Sequence, residues 1–331
     1  MNHASIIGIG TSVPKKILTN QDIVNMGIDT TDEWITSRTG IKQRFIADAE
    51  TTSSDLAVEA AQKAIQKAKI ETSDIDLILV ATATPDYNGF PSTACIVQQK
   101  LGISNCGAFD ISAACSGFNY AISTATQFIQ CGTYKNILVI GVDCLSKIVN
   151  WEDRNTCILF GDGAGAAIVA TSTDNNTIIN TYLHASGKEA DILNIPGGGT
   201  KKPFSKHVLE EKSHTIHMDG KAVFKTATNT ILPHIKSVLA QNNKTAEDIN
   251  CYIFHQANKR IIKFIKDKLN LTNEQVFSNI ETYGNTSAAS IPLAIQDAIN
   301  NNYIKKGDLV CLCAFGAGFT WSTILLKWGT N

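Results

Sequence analysis

Apolar residues recur at spacings of three and four from Val58 to Lys69 and again from Ile231 to Gln241, the pattern of a helix with one covered face. Each stretch leads into a short continuous apolar run, Ser73 to Val80 in the first case and, 174 positions on, Glu247 to Phe254 in the second. A further pair stands at nearly the same offset: Lys135 to Gly141 against Gly307 to Cys313, both apolar and both preceded by turn residues. Matches in the same order at one offset predict two related halves. Unbroken apolar strands alternating with helices imply sheets covered on both faces, hence an α/β architecture. The polar run Thr171 to Asn176 marks the junction, so the halves are expected at 1–172 and 173–331. Near the start, Ser5 to Thr11 reads as a short strand entering a glycine turn. It lacks the charged opening and long apolar core of a secretory signal.

The chain has 331 residues, about two domains' worth of core, and a formal charge of -1, which argues against general affinity for nucleic acid. No apolar stretch reaches the roughly 18 residues a membrane span needs, so a cytoplasmic protein is expected. The cysteines number 9, an odd count, with no C-x-x-C pair and no metal-ligand spacing. They read as reduced thiols, and no metal is expected.

Cys115 stands apart because Asp110 to Phe118 reads as an extended segment turning sharply into a helix. The first amides of a helix have no intrahelical partner, and together with the macrodipole they favour an anion. The expectation is a thiol lowered toward neutrality, a thiolate able to attack carbonyl carbon. Taken alone, a cysteine is more often a small buried apolar group. Its company changes the balance. His255 follows the apolar strand Cys251 to Phe254 directly and should project from the strand's carboxyl end, where α/β sheets place ligands. Asn285 lies in a glycine-flanked turn, and Ala314 to Trp321 carries glycines where a backbone amide can approach a reacting group. Moved by the 174-residue offset, Cys115 lands on Ala289, so the thiol belongs to one half only.

These segments together resemble the 3-oxoacyl-[acyl-carrier-protein] synthase III family of thiolase-like condensing enzymes. The resemblance runs through Asp32 to Ile35, Arg38 to Ile41, Ala113 to Cys115, Gly161 to Gly165, His255 to Asn258, Gly284 to Ser287 and Phe315 to Trp321. It implies a thiolase-like five-layer αβαβα fold built from two duplicated halves, a homodimer, and Cys115, His255 and Asn285 as catalytic residues. The implied reaction is a decarboxylative Claisen condensation that initiates fatty acid biosynthesis. Cys115 is acylated by acetyl-CoA or a similar short acyl-CoA, and malonyl-acyl carrier protein then loses carbon dioxide to give 3-oxoacyl-carrier protein. Loss of carbon dioxide removes the need for a strong base, so neutral N–H donors on the thioester oxygen suffice. The resemblance further implies an oxyanion hole from the backbone N–H groups of Cys115 and Ala317, the latter where many members carry glycine. It places Trp34, Arg38, Arg154, Gly220 and Asn258 on CoA, with Trp34 and Arg154 sandwiching the adenine. Met218, Phe315 and Phe90 would line the acyl pocket, Phe90 reaching in from the partner subunit. No cofactor is implied beyond these substrates.

The helix after Asn258 has an apolar face (Ile261, Ile262, Ile265, Leu269) and a basic one that includes Lys259, Arg260 and Lys263. A basic face suits an acidic acyl carrier protein. Other readings compete. A papain-like cysteine hydrolase also uses cysteine, histidine and asparagine in this chain order, although the C-G-x-C-aromatic surroundings are missing. A non-catalytic relative would generally have lost the nucleophile. Condensing enzymes or acyltransferases of secondary metabolism share the framework.

Overall fold

The computed structural model describes residues 2–172 and 174–330. Its first sheet contains β1 (His3–Ser12), β2 (Leu77–Ala81), β3 (Gly107–Ile111), β4 (Asn136–Cys144) and β5 (Asp162–Ser172), in the order β1-β5-β4-β2-β3. The second contains β6 (Ile178–Ala185), β7 (Cys251–Phe254), β8 (Val276–Phe277), β9 (Leu309–Gly316) and β10 (Thr320–Lys327), in the order β6-β10-β9-β7-β8. The orders are the same once each strand is advanced to its equivalent. So are the directions, since β2 and β7 lie parallel to both neighbours while β5 and β10 run antiparallel to theirs.

The helices complete the layers. α1 (Ser53–Ala68) and α2 (Thr93–Lys100) cover the outside of the first sheet, and α4 (Gly220–Gln241) and α5 (Lys259–Lys268) the outside of the second. Between the sheets lie α3 (Gly117–Gln130) and α6 (Ser290–Asn300). The unbroken apolar runs follow from this. Leu77 and Leu79 face the central core while Ile78 and Val80 face the outer one, and Ile253 and Phe254 divide in the same way. α1 starts where its sequence provides a cap: the Thr52 hydroxyl accepts from the Asp55 amide, and the Asp55 carboxylate accepts from the Thr52 amide.

In the fold itself, two details differ from the sequence reading. The segment read as a strand ending in a glycine turn is continuous strand, and its glycines serve helix packing. A Cβ on Gly8 would lie 2.4 Å from the Ala64 carbonyl oxygen, and one on Gly10 2.3 Å from that of Ala60. The backbone of α1 therefore rests on β1 where no side chain intervenes. The second difference concerns the counterpart of Cys115. Ala114 (φ 47°) and Ser287 (φ 50°) both take the left-handed conformation, and each opens a single 3₁₀ turn, Ala114–Ser116 and Ser287–Ala289, that runs into α3 or α6. These matched elbows place Ala288, not Ala289, opposite Cys115.

Replacing Gly10 with valine forces the Cβ onto backbone that cannot swing aside, and the expected loss is at least about 2 kcal/mol. Thermal unfolding of Gly10→Val against wild type checks it; an unchanged Tm would contradict the packing.

Candidate active site

The elbow carrying Cys115 is held from the other half of the molecule. The Thr320 hydroxyl donates to the Ala113 carbonyl at 3.0 Å, and the Ser116 hydroxyl donates to the Thr320 carbonyl at 3.2 Å. The end of β9 comes so near that a Cβ on Gly316 would stand 2.6 Å from the Cys115 nitrogen. Only glycine admits that approach, which brings the following amide, Ala317, to the cavity that Cys115 also lines.

His255 extends the parallel ladder beyond β7, its amide donating to the Cys313 carbonyl at 2.8 Å, so its ring lies at the carboxyl end of the strand. The ring packs edge-on against Phe315 with centroids 5.3 Å apart. Its Nδ1 lies 2.6 Å from the Ser290 hydroxyl oxygen. That oxygen also accepts from the Gln256 amide at 3.5 Å, which fixes the hydroxyl beside the ring. Burial lowers His255 to about 3, so the ring is neutral. Asn285 is oriented in a similar way. Its amide donates to the Leu159 carbonyl at 2.9 Å, and its side-chain Oδ1 accepts from the Ser287 amide at 2.9 Å, which leaves the NH2 end to donate elsewhere.

The thiol departs from its sequence expectation. Burial pushes Cys115 up to about 12; the Asp143 carboxylate adds to the rise and contact with the Ser287 hydroxyl opposes it. Relative to an ordinary 9.0, this is worth about 4 kcal/mol, against roughly 2 kcal/mol at best from a helix terminus. Burial outweighs the start of α3, and the resting group is a thiol, not a thiolate.

The cavity has a volume of about 320 Å³ and a mostly apolar wall, and Cys115, His255, Asn285, Ala317, Met218, Phe315, Gly220 and Asn258 all line it. Asn258 caps α5 through its side-chain oxygen, which accepts from the Arg260 amide at 2.9 Å, while its NH2 donates to the Arg38 carbonyl at 3.2 Å. That bond ties the mouth of the cavity to the helix Asp32–Thr39. On that helix the half-buried Trp34 ring meets Arg154 at 4.8 Å and Arg38 at 5.7 Å. α5 shows its apolar side inward. Lys259 pairs with Glu281 and Lys263 with Asp267, whereas Arg260 has no carboxylate partner among the described residues and lies 5.6 Å over the Phe224 ring. The cavity wall does not include Phe90 of the same chain, which is 88% exposed.

Two family models match, 3-oxoacyl-[acyl-carrier-protein] synthase III over residues 109–187 and its C-terminal counterpart over 239–328. β-Ketoacyl-[acyl-carrier-protein] synthase III of Caldanaerobacter subterraneus is 50% identical over 325 residues, covering 98% of each chain. The chain belongs to this synthase III family. The synthase III of Natranaerobius thermophilus is likewise 50% identical, over 99% of this chain and all of its own. The crystal structure of the Aquifex aeolicus synthase III superposes with a TM-score of 0.91 at 45% identity, over 98% of this chain and 100% of that one. Such similarity along the whole length leaves no room for a papain-like reading.

Sequence reasoning had not singled out Ser290, which holds the His255 ring of this synthase III family member, or Ser287, whose amide orients Asn285. Both belong to Gly284 to Ser290, the asparagine turn already picked out. The signal was serines spaced to face the two catalytic candidates, legible only once the elbow's register is known.

Neutral burial of His255 gives stability a definite pH dependence. The unfolded imidazole takes a proton near 6.5 and the folded one only near 3, so the unfolded chain binds more protons between those values. This contribution is fully present above 6.5 and is lost as pH falls toward 3; His234, lowered to about 4, acts in the same direction. Urea unfolding between about pH 7 and 4 should show wild type losing stability with acid, and His255→Asn losing less, by the share of about one proton. Equal slopes would contradict a neutral folded imidazole.

Proposed function

We propose that the chain is a condensing acyltransferase that joins a short acyl-CoA to malonyl-acyl carrier protein, releasing CoA and carbon dioxide and starting fatty acid biosynthesis. The observation that carries this reading is the convergence of one thiol and two oriented, uncharged donors on a single apolar cavity. Cys115 attacks the acyl-CoA carbonyl, and its own backbone N–H and that of Ala317 receive the tetrahedral oxyanion. Malonyl thioester then enters, and loss of carbon dioxide leaves negative charge on its thioester oxygen. His255 Nε2–H and the Asn285 NH2 donate to that oxygen. Because neither donor carries charge, they need no counterion in a cavity that excludes water, and their preorganisation favours the charged transition state over the ground state. The enolate carbon attacks the acyl-Cys115 carbonyl and expels Cys115 as a thiolate, which takes up one proton from solvent to return to the resting thiol. No cofactor enters these steps.

CoA is proposed to enter past Asn258 and Gly220, with its adenine between Trp34 and Arg154 and its phosphates near Arg38. The Arg154 guanidinium lies over the indole and donates to the Asp29 carbonyl at 2.7 Å, which puts both flat faces where an adenine would meet them. Arg260, a cation of α5 at the cavity end of the helix with no carboxylate partner among the described residues, is the proposed docking point for an acidic carrier protein, with Lys259 and Lys263 contributing field. A homodimer in the cytoplasm is proposed as well. It is supported by the uncovered edge strand β3, the exposed Phe109 upon it and the exposed Phe90, which a second copy would bury in its neighbour's acyl pocket.

Intact-protein mass after incubation with acetyl-CoA should show an acyl adduct on wild type and none on Cys115→Ala. His255→Ala and Asn285→Ala should still acylate while carbon dioxide release from malonyl-carrier protein falls about 100- to 1000-fold. An acylated alanine variant, or decarboxylation insensitive to both donors, would refute the assignment. Arg260→Glu should raise KM for malonyl-carrier protein and flatten its salt dependence while leaving acylation by acetyl-CoA intact; an unchanged KM would remove the docking site.

A further inference from the structure

A buried cation goes unused by the proposed chemistry. Arg44 lies on the short strand Gln43–Ile46, paired antiparallel with Lys16–Thr19, and it is fully buried. Each acceptor it finds is a neutral oxygen. Its Nη1 donates to the Leu18 carbonyl at 3.2 Å and to Asn20 Oδ1 at 2.9 Å, and its Nη2 donates to the Ile158 carbonyl at 2.6 Å. Its Nε has no partner among the described residues. Burial lowers the guanidinium to about 10, opposed by Cys157 and Asp32, so it stays charged near neutrality. A buried charge is commonly no better for stability than an apolar side chain of similar volume, so stability alone does not account for this arginine.

The group it holds lies directly behind the cavity. Ile158 precedes the segment that grips Asn285: the Asn285 amide donates to the Leu159 carbonyl at 2.9 Å, and the Asn285 carbonyl accepts from the Gly161 amide at 3.0 Å. The stem of Arg44 packs against both sides of that contact, since a Cβ on Gly161 would lie 2.9 Å from Arg44 Cβ and one on Gly284 3.4 Å from it. On its other side the guanidinium meets Asn20, itself buried, whose NH2 donates to Asp32 Oδ1 at 2.8 Å and to the Ile41 carbonyl at 2.7 Å. Arg44 thus spans from the foot of the helix Asp32–Thr39 to the backbone that presents Asn285.

We propose that Arg44 is a positioning residue for Asn285, fixing the backbone that aims its NH2 at the malonyl thioester oxygen. The inference rests on Asn285 being a donor in the decarboxylation step. A planar fork reaches Asn20 and Ile158 at once, whereas the single nitrogen of a lysine reaches one or the other. Release of Ile158 frees the neighbouring Leu159 carbonyl, and the Asn285 amide bound to it moves too. A donor displaced in this way loses its advantage only in the step whose charge it meets. Acylation of Cys115 draws on other donors, the backbone N–H groups of Cys115 and Ala317, beside an elbow held by Thr320 and not by Ile158. The two half-reactions therefore respond differently to Arg44.

Arg44→Lys keeps the charge and removes the fork. At saturating acetyl-CoA its acylation rate, read by intact mass, is expected within about twofold of wild type, while carbon dioxide release from malonyl-carrier protein falls about 10- to 100-fold. In the Asn285→Ala background the same substitution should change decarboxylation by less than about twofold, because the group it positions is gone. Asn20→Ala loosens the fork from its other side and should give a smaller loss in the same half-reaction; if Arg44→Lys does not fold, this variant and its cycle with Asn285→Ala decide. Wild-type decarboxylation in the folded variant would overturn the assignment. So would equal losses in both half-reactions, or a loss undiminished in the Asn285→Ala background, the signs of a merely structural role. Wild-type decarboxylation by Asn285→Ala alone would instead overturn the donor assignment on which the inference rests.

Discussion

The packing of the elbow Ala113–Ser116 against the elbow Thr286–Ala289 is the constraint on which the remaining structure depends. Each is a short turn entered through a left-handed residue, and each launches a helix into the space between the sheets. A Cβ on Gly117 would stand 2.9 Å from that of Ala81, and one on Gly141 would stand 2.4 Å from the Ala288 carbonyl oxygen, so both elbows rest directly on the first sheet where side chains are small or absent. Small residues at these contacts bring the two halves close enough for a thiol from one and an amide from the other to share a cavity. The duplication thus supplies two copies of one device, and the chemistry arises because only one copy carries sulfur.

The same closeness controls the electrostatics. Burying three polar side chains in an apolar wall disfavours every charged form, and the structure answers by keeping the thiol and the imidazole neutral. Neutral groups are sufficient for a reaction whose negative charge arrives with the substrate and is dissipated within the turnover. A permanent imidazolium or thiolate would require a counterion at the mouth, where malonyl thioester must pass. The buried carboxylate of Asp143 lies behind the thiol, adds to the rise of Cys115 and is satisfied by donors from both halves.

The sequence disclosed most of the architecture because the buried strands are apolar on both faces and recur in order; β2 and β7 were visible for that reason. It disclosed the catalytic candidates less directly, since a strand-end histidine and a turn asparagine become specific only as part of an ordered set of segments. The failures have physical causes. Gly8 and Gly10 read as a turn because the need for bare backbone came from α1, a helix some fifty residues away. Cys115 read as a thiolate because a helix start is legible in sequence whereas complete burial is not. Ser287 and Ser290 went unread because each acts through a neighbour that only the folded chain supplies.

The central claim, a nucleophile kept uncharged by burial until substrate arrives, is tested most directly by the ultraviolet thiolate absorbance of the resting enzyme, taken as wild type minus Cys115→Ser. Titration from about pH 6 to 9 should reveal no thiolate at position 115, because burial holds the thiol near 12. A thiolate signal with a midpoint near neutrality would contradict this account and restore the helix terminus as the dominant influence.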